Sequence, residues 1–171
     1  HEPTDACRVS EDCGDTKDGG GDFCFPLEGT WTCTFGPGAC GRPLHIAGRP
    51  RLAPTARRVD WTTDLQPNVA GLSPQTRARL AAYWAEVGQL EHASVAGFAR
   101  FSLQLMALGA PPELLRQAQE AGGDEVVHAQ LAFGLASAYG EPVGPAPMAL
   151  SDLELTADPE TVLRDLIQEG C

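Results

Sequence analysis

The sequence predicts a mainly α fold: two long antiparallel helices and the start of a third, behind a small disulfide-rich irregular module. Three observations carry this expectation. Composition changes near residue 72, from Gly, Pro, Asp and Cys to Ala, Leu and Glu. Beyond that point apolar residues recur at steps of three and four, with breaks at Gly109–Pro112 and Gly140–Pro142. Five of the six cysteines fall between Cys7 and Cys40. The chain divides accordingly into a Cys-rich module (1–40), a Pro/Arg-rich linker (41–72) and a helical domain (73–171).

The cysteine segments are polar and Gly-rich, too poor in apolar surface to offset the entropy of ordering them. Cys7, Cys13, Cys24, Cys33 and Cys40 are separated by 5, 10, 8 and 6 residues. Zinc modules pair their ligands more closely than that. Disulfides fit better, and they imply an oxidising compartment: secreted, cell-surface or periplasmic. Cys40 pairing with Cys171 would tie the module to the helices. The formal net charge of −11 argues against nucleic acid, which needs clustered Lys and Arg. No apolar run reaches the length of a membrane span. The chain opens at His1 and closes at Cys171 inside a helical pattern, which reads as a piece of a longer protein. His1 as half of a copper-binding brace would need a second His on a β-sandwich core, which this sequence does not offer.

The linker holds Arg42, Arg49, Arg51, Arg57 and Arg58, expected to lie against the acidic helices of the same chain, with Trp61 as its anchor. Ser73 then caps the first helix and Pro74 occupies its first position. The helix is expected to run to Leu108, where Gly109 stops it. Its seam reads Leu80, Trp84, Val87, Glu91, Ser94, Phe98, Phe101, Leu105 and Leu108 at steps of mostly four and three. Glu91 stands seven residues from both Trp84 and Phe98, so it points with them into the core. A buried carboxylate without a partner is costly or becomes protonated.

The second helix opens at Pro112-Glu113 and ends before Gly140. Its inner face reads Leu114, Ala118, Ala121, Glu125, His128, Ala132, Leu135 and Tyr139. Glu125 and His128, three apart, reach one side of the helix. Gly122 and Gly123, beside them, suggest room being made. Glu91 lies 18 residues before Gly109 and Glu125 lies 16 after it, so folding back at the turn brings them to the same height. Carboxylate and imidazole donors converging between helices make a site for iron, manganese or zinc. His92 is expected to be exposed or indirectly supporting, Tyr83 and Tyr139 to be packing residues, and Glu120 and Asp124 to lie on a solvated face. Glu113 suits the helix N-terminus.

These residues resemble a known superfamily. Glu91 on one helix, followed by Glu125-x-x-His128 on the next, is similar to the first half of the ferritin-like di-iron carboxylate pattern. Leu90-Glu91-His92-Ala93-Ser94-Val95-Ala96 also resembles secreted bacterial ferritin-like-domain proteins with a Cys-rich leader and a Cys-Gly-Arg-Pro segment, here residues 40–43. The resemblance covers roughly residues 40–171. It implies a partial ferritin-like bundle, with the Pro-rich stretch from Glu141 to Ala157 as the long crossover and a third helix opening at Asp158-Pro159. Val162, Leu163, Leu166 and Ile167 form that helix's apolar face. It further implies a di-iron centre, with manganese possible. Glu91 and Glu125 would be ligands or bridges, and His128 a terminal ligand. Glu169, or a residue beyond the end of this chain, would be the third-helix carboxylate. No fourth helix and no second Glu-x-x-His follow, so half a site is present. The implied function is an extracytoplasmic di-metal protein with a redox or iron-oxidising role; an enzyme on this pattern would be a di-iron oxidoreductase. Two alternatives stand beside it: a metal-free surface scaffold whose Cys-rich module binds, or a half-site completed by homodimerisation.

Overall fold

The structure, a computed structural model, describes residues 23–27, 30–34 and 43–169, with side-chain surroundings given for 43–167. The chain divides into two compact units, His1–Cys40 and Gly41–Cys171. In the first, β1 (Phe23–Leu27) and β2 (Thr30–Thr34) form an antiparallel hairpin with Cys24 opposite Cys33. The FCFPL and TWTCT runs carry strand-favouring aromatic and β-branched residues, and the rest of the module expected to be irregular lies outside the described residues. The disulfide expectation, including the Cys40–Cys171 pairing, rests on side chains outside the described residues.

The second unit is mainly helical. α1 (Pro74–Ala107) begins where Ser73 Oγ accepts the Thr76 N–H at 3.1 Å, with Pro74 at the first position. It ends where Gly109 takes φ +67° and the Ala110 N–H turns back to the Leu105 carbonyl. α2 (Pro112–Tyr139) runs back along α1 and stops at Gly140. Both helices therefore start and stop where the sequence predicts.

Small residues bring the two helices together. A Cβ on Gly88 would lie 3.0 Å from the ring of Phe133, which is fully buried. A Cβ on Gly122 would lie 3.1 Å from that of Phe98. Gly122 thus serves close helix approach, as its size predicts. The core is alanine-rich: Ala93, Ala118, Ala129, Ala132 and Ala136 are all buried. The inner face of α2 is consequently centred on Ala118, Glu125, Ala129 and Ala132, His128 sits at its edge, and Leu114, expected on this face, is exposed in the first turn.

Residues 43–72 wrap α1. β3 (His45–Ile46) and β4 (Arg49–Pro50) form a hairpin through Ala47 and Gly48, both at positive φ. Leu44 is fully buried, and its N–H donates to the Ala93 carbonyl. Gln89 donates to the Ala53 carbonyl and Arg100 to that of His45. Trp61 meets His92 and Phe133 edge-on, at ring separations of 5.4 and 5.8 Å. The expected pairing of linker arginines with the acidic helices is corrected. Arg51 pairs with Asp152, and Arg58 with Asp60 and the Pro145 carbonyl. Arg49 and Arg57 are exposed, and Arg42 lies outside the described residues.

The crossover after α2 is pinned by β5 (Thr55–Ala56) pairing with β6 (Gly144–Pro145). α3 (Pro159–Glu169) is capped by Asp158, whose carboxylate accepts from the Thr161 N–H. Only part of its expected apolar face is covered: Val162 is buried, whereas Leu163 and Ile167 are exposed. No helix among the described residues is long and apolar enough to cross a membrane.

Candidate metal centre

Glu91 sits near the middle of α1 and Glu125 near the middle of α2, and the antiparallel return at Gly109 sets them opposite each other. One ligand atom from each of Glu91, Glu125 and His128 lies within 4.8 Å of the other two. His128 Nδ1 is 3.3 Å from Glu125 Oε2 and 3.9 Å from Glu91 Oε2. The Glu91 and Glu125 side chains are only 14% and 9% exposed, whereas His128 is 56% exposed. The group is therefore closed on the helix side and open at the imidazole.

Burial first, then a hydrogen bond and charge repulsion from Glu125, push the Glu91 carboxyl up to about 7, against a downward pull from His128. A proton shared between the two carboxyls across the helix interface is thereby favoured. A proton in this place is what a divalent cation would replace. Two donors each about 2.1 Å from one cation lie at most about 4.2 Å apart, so small side-chain rotations bring all three into one coordination sphere. Two carboxylates and an imidazole suit iron, manganese or zinc. Three protein donors leave further positions open.

Of the residues singled out from sequence, Glu91, Glu125 and His128 are brought together. Glu169 lies in the last turn of α3, and its side chain is outside the described residues. His92 turns away from the cluster and packs against Trp61, half-buried, with Nδ1 shielded from solvent. Burial and the Arg58 charge hold its imidazole below its ordinary range. It is not exposed, because the wrapping linker covers that side of α1. Gly123 has open space around it and frames nothing. Glu113 and Glu120 pair with Arg116 on the solvated face of α2, where Asp124 is also exposed. Tyr83 rests on Trp84, and burial raises its phenol.

The linker contacts of Leu44, Trp61 and Thr63 were not signalled by periodicity. Thr63 lies so close to Gly134 that a Cβ there would meet its side chain at 2.2 Å. Trp61, expected as the linker's anchor, does pack on His92 and Phe133. No protein-family model, curated protein or solved structure matches this chain.

Proposed function

We propose that this chain is a metal-binding protein of ferritin-like type, in which Glu91, Glu125 and His128 hold iron or manganese as half of a di-metal centre. The observation that supports it is the convergence of two nearly buried carboxyl groups and an imidazole between two long helices. Burying two acids in contact is unfavourable unless a cation or a shared proton offsets it. When bound, the metal would supply redox chemistry at open coordination positions, and oxidation of Fe(II) by dioxygen is the reaction class that fits. The chain's own contribution is to orient the donors and to keep water from the helix side of the group. The cysteine-rich leader supports a secreted, cell-surface or periplasmic setting.

A second reading draws on the Glu91 carboxyl at about 7. A protonated Glu91 hydrogen-bonded to Glu125 makes a closed, metal-free acid pair in a helical scaffold, with binding carried by the Cys-rich module. Metal analysis separates the readings. Protein purified without chelator and loaded with Fe(II) in air should retain iron and gain near-ultraviolet absorption, and Glu125→Ala should abolish both. Unchanged absorption and no retained metal in the native chain would leave only the acid pair.

A further inference from the structure

A cleft of about 470 Å³ lies between α1, the linker and the crossover, and none of Glu91, Glu125 and His128 lines it. Its volume falls within the roughly 300–1,000 Å³ of small-molecule sites. His92, Val95, Ala96 and Ala99 form its floor, at the steps that set one stripe of a helix on one side. Trp61 lines it from the linker and Met148 from the crossover. The walls are fixed to each other as well as to α1. Arg58 donates to Asp60 and to the Pro145 carbonyl, β5 pairs with β6, and a Cβ on Gly144 would meet that of Trp61 at 2.9 Å. The cleft therefore exists before anything enters it.

The polar side chains of the lining share one character. Arg58, Trp61 and His92 all carry N–H donors, and no carboxylate lines the cleft, although the chain has 23 acidic residues. His92 also lacks a partner it needs. Its Nδ1 is shut off from solvent with no hydrogen bond, whereas Nε2 is not so enclosed. A neutral imidazole has one N–H, and placing it on Nδ1 would bury a donor without an acceptor. The proton therefore belongs on Nε2, where an acceptor must come from outside the fold. Arg58 spends one N–H of each nitrogen on Asp60 and Pro145, which leaves a second N–H on each terminal nitrogen. Asp60 itself is exposed and does not line the cleft. We propose that this cleft binds a small carboxylate with an apolar body. The carboxylate oxygens accept from His92 Nε2 and from the remaining Arg58 N–H groups, and the body lies against Trp61, Val95 and Met148. The site is independent of the metal-binding reading, because it shares no residue with that cluster.

The test is calorimetric titration of octanoate into the full chain without added metal, beside 1-octanol, which has the same tail and no charge. Octanoate should bind saturably at one site per chain. 1-Octanol should bind at least about tenfold more weakly, since hydrogen bonds to a charged group are the stronger kind. Ala99→Trp fills the cleft from an exposed helix position. His92→Phe keeps a ring against Trp61 and removes the N–H. Both variants should keep native helicity by circular dichroism. Ala99→Trp should abolish octanoate binding, and His92→Phe should weaken it by about tenfold or more. A native chain that does not bind octanoate, or an Ala99→Trp variant that binds it equally, overturns the proposal. Equal affinity for 1-octanol, or unchanged affinity in His92→Phe, overturns it as well.

Discussion

Glu91 and Glu125 reach each other from opposite helices, hydrogen-bonded through their carboxyl groups, in a place where both side chains are nearly closed to solvent. A contact of two acids exists at neutral pH only if a proton or a cation lies between them. Burial and the neighbouring Glu125 favour a proton on Glu91, and that has a measurable consequence for stability.

Because the Glu91 carboxyl is raised to about 7, the folded metal-free chain binds a proton more tightly than the unfolded chain does. The unfolded state therefore binds fewer protons between the ordinary carboxylate range and about 7, and stability falls as pH rises through that window. His92, held below its ordinary range, acts in the opposite sense below about 6.5. The melting temperature of the native chain should thus drop most clearly from about 6.5 to 8, in the absence of metal. Glu91→Gln should flatten that drop, and melting curves across this range read it directly.

His128 is more than half exposed, so His128→Ala removes a donor with little packing loss. Its melting temperature should stay near native, since surface substitutions usually change stability by less than about 0.5 kcal/mol. Its Mn(II) affinity should fall. Retained affinity would show that the imidazole is not a ligand.

Two glycines of the helices should respond in opposite directions. Gly88→Ala gains about 1 kcal/mol of helix propensity, yet its Cβ would press on the buried Phe133 ring at 3.0 Å. Overpacking of that kind costs about 1–3 kcal/mol. Net destabilisation is expected. Gly123→Ala meets nothing within 4 Å and should stabilise by roughly 0.5–1 kcal/mol. Chemical denaturation of the two variants distinguishes close helix approach from mere helix content.

Leu44 ties the linker to α1 through full burial and a backbone hydrogen bond to Ala93. Leu44→Ala should cost about 2–5 kcal/mol. The variant should keep its helical circular dichroism while the linker becomes more open to protease.

The helices and three members of the site were legible in the sequence because their signals are local. Ser73-Pro74, Gly109 and Pro112 punctuate the chain, and Glu91 interrupts an otherwise apolar seam. What was not legible depends on tertiary cover. The α2 face was read with His128 well inside it. Ala129 and Phe133, not singled out beforehand, prove to be buried, and they turn the helix so that His128 comes to the edge. His92 follows Glu91 in sequence, yet the approach of Trp61 from 31 residues upstream decides its surroundings. The linker arginines were expected on the helices. Arg51 pairs instead with Asp152, because the β5–β6 contact draws the crossover to the linker, and Arg58 pairs with Asp60 within the linker itself.

The most direct measurement is the electron paramagnetic resonance of Mn(II) titrated into the native chain and into Glu125→Ala near neutral pH. Free Mn(II) gives a sharp six-line signal that broadens when protein carboxylates and imidazole replace water. The native chain should quench that signal saturably, and Glu125→Ala should leave it unchanged. A native chain that leaves the six-line signal intact, or a variant that quenches it equally, would contradict metal binding by Glu91, Glu125 and His128.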